Sequence, residues 1–158
     1  MELILSNEAV PLIPSCMSAA VPPAGASGTL SFDPLNAFGD SPFVSTTGKV
    51  VLLRRGKVTF DTKVRNVESA GHAVAVIIID SADEHAINVN IRNSAGDVHA
   101  PTLLLAGVDR VHGERLIEVA QGQTISAMVC AAKSADRVEF GRALVRDGGS
   151  VSPPAPPR

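Results

Sequence analysis

The most regular pattern of apolar and polar positions lies between residues 48 and 131. Residues 49–54 are a mostly apolar, β-branched run of strand length, and the runs at 73–79, 101–107 and 124–131 are similar. An unbroken apolar run of this length is typical of a strand that is buried on both faces. The pattern therefore predicts four strands in this part of the chain, the first two of them buried.

The segment after the first of these strands has helical spacing. Phe60, Val64 and Val67 fall on one face of a helix, and charged residues fill the other face. Thr59 is suited to cap the start of this helix, and Gly71 is suited to end it. We therefore expect a strand, a helix and a second strand in sequence.

A second amphipathic segment covers residues 108–122. Asp109 is the expected N-cap and Gly122 the expected stop. Gly113 inside this segment lowers its helix propensity by about 1 kcal/mol. The apolar spacing still favours a helix.

The first 48 residues are predicted to be mostly irregular. Residues 2–6 and 29–32 are candidate short strands. Residues 21–28 contain two prolines and two glycines, which predicts a loop.

Residues 80–100 are a polar segment with a candidate edge strand at 87–91. Residues 137–146 suggest one more strand, broken by Gly141. The proline-rich stretch at 148–158 is typical of an extended linker or tail. We therefore expect a single domain at residues 1–147 with its core pattern at 48–130.

Composition narrows the functional classes. The net charge is −2, the chain contains no Trp or Tyr, and no basic run is present, so we expect no nucleic-acid partner. The longest apolar stretch is far below the roughly 20 residues that cross a bilayer, so we expect no direct membrane insertion. Cys16 and Cys130 are too few for a disulfide framework, and they either pair with each other or remain separate thiols.

An ordered set of residues at characteristic gaps resembles the protease-associated domain, or PA domain, family. The set starts at the strand of residues 49–54 and continues through both predicted helices and the strands that follow them. The residues that carry it are Arg55, Gly56, Phe60, Lys63, Asn66, Gly71, Pro101 and Gly113.

The resemblance implies an α/β (α+β) fold, in which a closed, β-barrel-like sandwich of about six to seven mixed strands is flanked by two main helices. It also implies a non-catalytic module that recognises peptides or proteins, or that covers and regulates a neighbouring active site. The expected partner is a polypeptide or an adjacent domain of a parent protein, such as a protease or a ubiquitin ligase. We expect no cofactor and no metal, and the oligomeric state is open.

The polar segment at 82–99, together with the loop before the strand at 49–54, is the expected partner-binding surface, because recognition usually sits on loops held by a rigid scaffold. Its candidate edge strand could also accept a peptide as an added strand. The acidic cluster at its start lacks the spacing of a known cation site, so we interpret it as a solvated loop. The candidate binding residues are Asp83, Glu84, His85, Asn88, Asn90, Arg92, Asp97 and His99.

One position departs from the family pattern. Many members have a cysteine two residues after the Arg-Gly pair, bridged to another just before the first strand. Val58 stands at that position here, and residues 32–47 contain no cysteine. The missing bridge, together with the lack of a signal peptide, favours a cytoplasmic location if the chain is complete. The endomembrane lumen or secretion is favoured if it is part of a larger protein.

Two other functions remain open. The strand–helix–strand order also fits a flavodoxin-like, doubly wound domain or enzyme that binds a small ligand at Arg54-Arg55-Gly56. A structural spacer is the third hypothesis. None of the four histidines lies in a known catalytic motif, although a triad can assemble from distant residues.

Overall fold

The computed structural model describes residues 1–6, 8–81, 89 and 101–132. These residues form eight strands, two α-helices and a short 3-10 helix at Pro34–Asn36. The strands are β1 (Glu2–Leu5), β2 (Glu8–Pro11), β3 (Ile13–Pro14), β4 (Ala26–Ser31), β5 (Lys49–Arg54), β6 (Ala75–Ile79), β7 (Leu104–Val108) and β8 (Ser126–Cys130), and the helices are α1 (Phe60–Glu68) and α2 (Arg110–Gly122).

All eight strands belong to one mixed sheet with the order β2-β1-β8-β4-β5-β6-β7-β3. The four strands β4 to β7 are parallel to one another, whereas β1, β2, β3 and β8 pair antiparallel with their neighbours. The mixed sheet and the two helices confirm the α+β class. They do not match the open parallel sheet of the flavodoxin-like alternative.

Residues 8–14 connect the two ends of this sheet. β2 is the outer strand at one end and β3 is the outer strand at the other, yet only Leu12 separates them in the chain. The N–H of Leu12 donates to the carbonyl oxygen of Met1 at 2.9 Å. Closure is therefore made by one chain segment, and no ladder joins β2 to β3 among the described residues. The sheet has eight strands where six to seven were expected, and its ladders among the described residues do not fully close it.

The strands β5, β6 and β7 are buried on both faces. Leu52 of β5 belongs to the core cluster that includes Leu116 of α2, whereas Leu53 belongs to the cluster that includes Val64 of α1. Successive side chains of a strand point to opposite faces, so the two helices cover opposite faces of the sheet. This confirms the burial predicted for the strands at residues 49–54 and 73–79.

Both helices begin where the sequence predicts. The side chain of Thr59 accepts the N–H of Thr62 at 3.2 Å, and Asp109 Oδ1 accepts the N–H of His112 at 2.9 Å. Each cap satisfies one of the backbone donors that the first helical turn leaves unpaired. α1 ends earlier than expected, because Ser69 and not Gly71 follows its last residue.

The N-terminal part is more regular than predicted. Residues 26–28, which the sequence assigns to a loop, belong to β4 and pair with β8. β2 and β3 have four and two residues, too few for a clear local pattern. Tertiary pairing overrides local propensity in such short strands. The candidate strands at 87–91, apart from Val89, and at 137–146 lie outside the described residues.

Candidate partner-binding surface

Residues 32–48 connect β4 to β5 and are called the β4–β5 loop here. Asp33 Oδ1 accepts the N–H of Leu35 at 2.9 Å and orders the start of the loop. Asn36 is buried, and its side-chain amide donates to the carbonyl of Ser41 at 2.8 Å and accepts the N–H of Ser41 at 3.2 Å. A buried amide side chain thus closes the loop on itself.

Lys63 of α1 anchors the β4–β5 loop by hydrogen bonds. Its side chain is fully buried, and its Nζ donates to the carbonyl oxygens of Phe38 and Gly56, the latter at 2.8 Å. Burial lowers the pKa of Lys63 to about 8, while Asp40 acts to raise this pKa and Lys57 to lower it. Charge-assisted hydrogen bonds therefore join the loop to the turn between β5 and α1.

Two further hydrogen bonds fix the loop to α1. Asn66 Nδ2 donates to the carbonyl of Gly39 at 2.9 Å. The buried hydroxyl of Thr46 donates to the carbonyl of Val67 at 2.7 Å. The β4–β5 loop is therefore hydrogen-bonded to α1 at the middle of the loop and near the end of the loop.

Gly71 faces the same loop. Its φ of +142° is a conformation that side chains rarely adopt, and an added Cβ would lie 3.1 Å from the backbone nitrogen of Thr47. Gly56, Lys63, Asn66 and Gly71 all belong to the residue set that carries the PA-domain resemblance. Half of that set thus supports the β4–β5 loop.

The loop exposes two large apolar side chains. The relative exposure is 95% for Leu35 and 103% for Val44. A single exposed apolar residue is ordinary on a protein surface, whereas a contiguous exposed apolar patch is typical of an interaction site. The sequence placed this loop on the expected surface but did not single out these two residues. The available signal was the presence of isolated apolar residues in a segment rich in proline, glycine and serine.

A small concavity lies beside Val44. Its volume is about 170 Å³. Phe43 and Val51 supply apolar walls, and Asp33 and Lys49 carry one charge of each sign. The β4–β5 loop therefore presents both exposed apolar side chains and a recess.

A second concavity, of about 320 Å³, lies where β5 and β6 end and α2 begins. We call it the charged concavity. It is lined by Phe38, Arg54, Arg55, Ile79, Asp80, Ser81, Arg110 and Glu114.

The arginines of the turn are paired within the charged concavity. Arg54 donates to both carboxylate oxygens of Glu114, with 2.9 Å between Nη2 and Oε2, and Arg55 Nη1 lies 3.0 Å from Oδ1 of the buried Asp80. The hydrogen bond with Glu114 raises the pKa of Arg54 and lowers that of Glu114. A phosphate would have to displace these carboxylates, which argues against the ligand site suggested for Arg54-Arg55-Gly56.

Gly113 allows α2 to lie close to β6. A Cβ at this position would lie 2.8 Å from Cγ1 of Ile79. This close approach brings Glu114, the next residue, within reach of Arg54. Of the other residues in the resemblance set, Phe60 packs against the core cluster under α1 and Pro101 is buried.

His112 and Asp109 form a pair at the start of α2. The distance from Nδ1 to Oδ2 is 2.5 Å. Burial acts to raise the pKa of Asp109, but hydrogen bonds from His112 lower it below its usual value. Within the described part of the chain, no serine or cysteine side chain is hydrogen-bonded to His112, so this pair lacks the nucleophile of a triad.

The expected binding residues of the polar segment lie outside the described residues. They are Asp83, Glu84, His85, Asn88, Asn90, Arg92, Asp97 and His99. In the described ranges, no group of three or more His, Cys, Asp or Glu is placed to hold a metal ion, and neither helix is long and apolar enough to cross a membrane. No disulfide joins Cys16 to Cys130.

Comparison with known proteins identifies peptidases and a peptidase-like protein. Signal peptide peptidase-like 4 of Oryza sativa subsp. japonica is 37% identical over 83 residues, which are 52% of this chain and 15% of that protein. The zinc aminopeptidase BSAP of Bacillus subtilis superposes on 81% of this chain with a TM-score of 0.65 and 23% identity. An aminopeptidase from Aneurinibacillus sp. strain AM-1 superposes on 83% with a TM-score of 0.60 and 24% identity.

The chain spans only a part of each of these proteins, 29% and 30% in the two aminopeptidases. At this identity the structural likeness shows the fold alone. The PA domain family model matches residues 10–116, more than half of the chain. The supporting glycines, Lys63 and Asn66 lie within that match, and this chain therefore belongs to the PA domain family.

Proposed function

We propose that this PA domain is a non-catalytic module that binds a polypeptide through the β4–β5 loop. One observation carries the proposal: Leu35 and Val44 are 95% and 103% exposed on a loop that buried side chains hold in place. These side chains contribute no burial to the fold. Removing their apolar surface from water favours association by roughly 25 cal/mol per Å², before the entropic cost of binding is counted.

The nature of the relatives supports a role beside a peptidase. The names of the matched proteins are those of aminopeptidases and a signal peptide peptidase-like protein, and the matched portion is 15% to 30% of each. A polypeptide-binding module in such a context would recognise a substrate or regulate access to an adjacent active site. We propose the same division of labour for this chain, with any chemistry performed elsewhere.

The competing function is binding of a small anion in the charged concavity. Its size and its arginines favour this function, and the pairing of Arg54 with Glu114 disfavours it. A thermal-shift screen with nucleotides, FMN and inorganic phosphate separates the two. A ligand at 100 times its dissociation constant would add about 2.7 kcal/mol of stability.

A phage-displayed library of random peptides, selected on the immobilised 158-residue chain, tests the main proposal. We expect enriched peptides whose synthetic forms bind the wild type. The double variant Leu35→Ser/Val44→Ser should bind them about tenfold more weakly, because two apolar contacts are lost. Val111→Ser is the matched control, since Val111 is 61% exposed on α2 and lies outside the loop.

Three results would contradict the proposal. The first is an absence of enriched peptides, which would favour the spacer hypothesis. The second is equal loss of binding in the control variant. The third is clear stabilisation by a nucleotide, FMN or phosphate.

A further inference from the structure

The concavity beside Val44 has the size of a pocket for one side chain. Its volume of about 170 Å³ is below the roughly 300 Å³ at which pockets for small molecules and cofactors begin. Its floor includes Val51, which is 2% exposed and belongs to the core, so the floor is rigid. A recess of this size on a packed floor suits one aliphatic or aromatic group.

The backbone beside this recess has unused hydrogen-bonding groups. Phe43 and Val44 lie outside every strand and helix, and their N–H and C=O groups make no hydrogen bond within the described residues. Each backbone donor or acceptor that leaves water needs a partner. A polypeptide supplies such partners along its own backbone, whereas a free apolar molecule does not.

The charges at the rim do not select a charged occupant. Asp33 and Lys49 contribute opposite charges, and each already makes a local hydrogen bond: Asp33 accepts from Leu35 N–H, and Lys49 Nζ donates to the carbonyl of Ser45 at 2.8 Å. The rim is therefore neutral in sum. An uncharged, apolar side chain complements it.

We propose that this concavity binds one apolar side chain of a polypeptide whose backbone hydrogen-bonds to Phe43 and Val44. We call it the anchor pocket. This inference rests on the proposed function and adds the chemistry of the ligand: a peptide segment with one Leu-like or Phe-like anchor residue and no required charge. Val44 then packs against the peptide beside the anchor.

The probe for the pocket alone is N-acetyl-L-leucine N′-methylamide, which has one aliphatic side chain between two peptide groups. Titration into the 158-residue chain, followed by amide NMR, should shift the signals of Phe43, Val44, Ser45 and Val51. The glycine analogue should bind about tenfold more weakly, because it lacks the side chain that fills the recess.

Two variants fill the pocket from different sides. Ser31→Phe acts from β4, and Ser45→Phe acts from the loop; both serines line the recess. Each should weaken the probe, and the peptides enriched by phage display, by about tenfold. Ser27→Phe is the control, because Ser27 is an exposed serine of β4 that does not line the recess.

The outcomes separate this inference from the proposed function. Enriched peptides that bind both pocket-filling variants as well as they bind the wild type would overturn the anchor pocket and leave the proposed function standing. Equal binding of the leucine and glycine probes would also overturn it. If no peptide is enriched on the wild type, both proposals fail.

Discussion

The charged concavity and the β4–β5 loop are neighbours that share Phe38, yet they treat their side chains in opposite ways. In the concavity, Arg54 and Arg55 are paired with the carboxylates of Glu114 and Asp80. In the loop, the polar side chains of Asn36 and Thr46 are buried and hydrogen-bonded, whereas the apolar side chains of Leu35 and Val44 are exposed to solvent. The two arginines of the charged concavity already have carboxylate partners, whereas the apolar side chains of the loop remain exposed.

This difference shows that a residue's chemistry indicates function only when its partners are known. An arginine pair at a strand end is a reasonable anion site until a bidentate carboxylate is found on it. An exposed valine such as Val44 becomes a candidate contact residue only when its loop is found to be held by the buried Lys63. We therefore interpret the charged concavity as structural and propose the β4–β5 loop as the recognition surface.

The largest effect on the free energy of unfolding should come from Gly113→Ala, which disrupts the charged concavity. The new Cβ would overlap Ile79, so α2 must move away from β6 and carry Glu114 away from Arg54. Overpacking of this kind costs about 3 kcal/mol in the free energy of unfolding. Urea denaturation followed by circular dichroism measures it.

Gly122→Ala is the control for this substitution. It changes the same residue type in the same helix, where a Cβ would meet no atom within 4 Å. This variant should be neutral or more stable by up to about 1 kcal/mol. Equal destabilisation by both variants would show that the effect is not due to the contact with Ile79.

The next largest effect is a pH dependence of the free energy of unfolding, caused by Lys63 beneath the β4–β5 loop. Its pKa is about 8 in the folded protein and about 10.5 when unfolded. The unfolded state therefore binds more protons between these values, so stability rises with pH across this window. From about pH 7.5 to about pH 9.5 the gain is about 2 kcal/mol.

Lys63→Met should lack this rise and should also leave the carbonyls of Phe38 and Gly56 without their donor. Its stability deficit relative to the wild type should therefore grow as pH increases, in denaturant titrations at the two pH values. Lys49→Met is the control and should retain the wild-type rise, since Lys63 is unchanged. An identical rise in the Lys63 variant would mean that another group causes it.

A smaller effect on the free energy of unfolding is expected from variants that weaken peptide binding. Leu35→Ser and Val44→Ser should each change the free energy of unfolding by less than about 0.5 kcal/mol, because neither side chain is buried. Both should weaken peptide binding, as measured by fluorescence polarisation with peptides from the phage selection. A large loss of stability in either variant would mean that the loop depends on these residues for its fold.

Another small effect should come from Glu114→Gln. The Arg54–Glu114 pair is partly exposed, so its removal should cost less than about 1 kcal/mol. The substitution also releases Arg54 from its carboxylate. We expect inorganic phosphate to shift the amide NMR signals of the charged concavity in this variant and not in the wild type. That result would show that Glu114 keeps Arg54 from binding an anion.

Local rules predicted the central elements well. The caps Thr59 and Asp109, the strand β5 and the two amphipathic helices follow from neighbouring residues alone. The same rules failed for β2, β3 and the start of β4, whose strand pairing comes from residues far away in the chain. For the candidate surface, the sequence named Lys63 and Asn66 as a pattern but gave no indication that both hold the β4–β5 loop.

The sequence by itself determined which segments are helical, which strands are buried on both faces, and the family, because periodicity, capping and motif spacing are properties of adjacent residues. The tertiary structure decided what those residues do. Lys63 meets Phe38 across 25 positions, and Arg54 meets Glu114 across 60. Such contacts depend on which strands pair and how closely α2 approaches β6, and for this reason only the folded chain distinguishes a paired arginine from an available one.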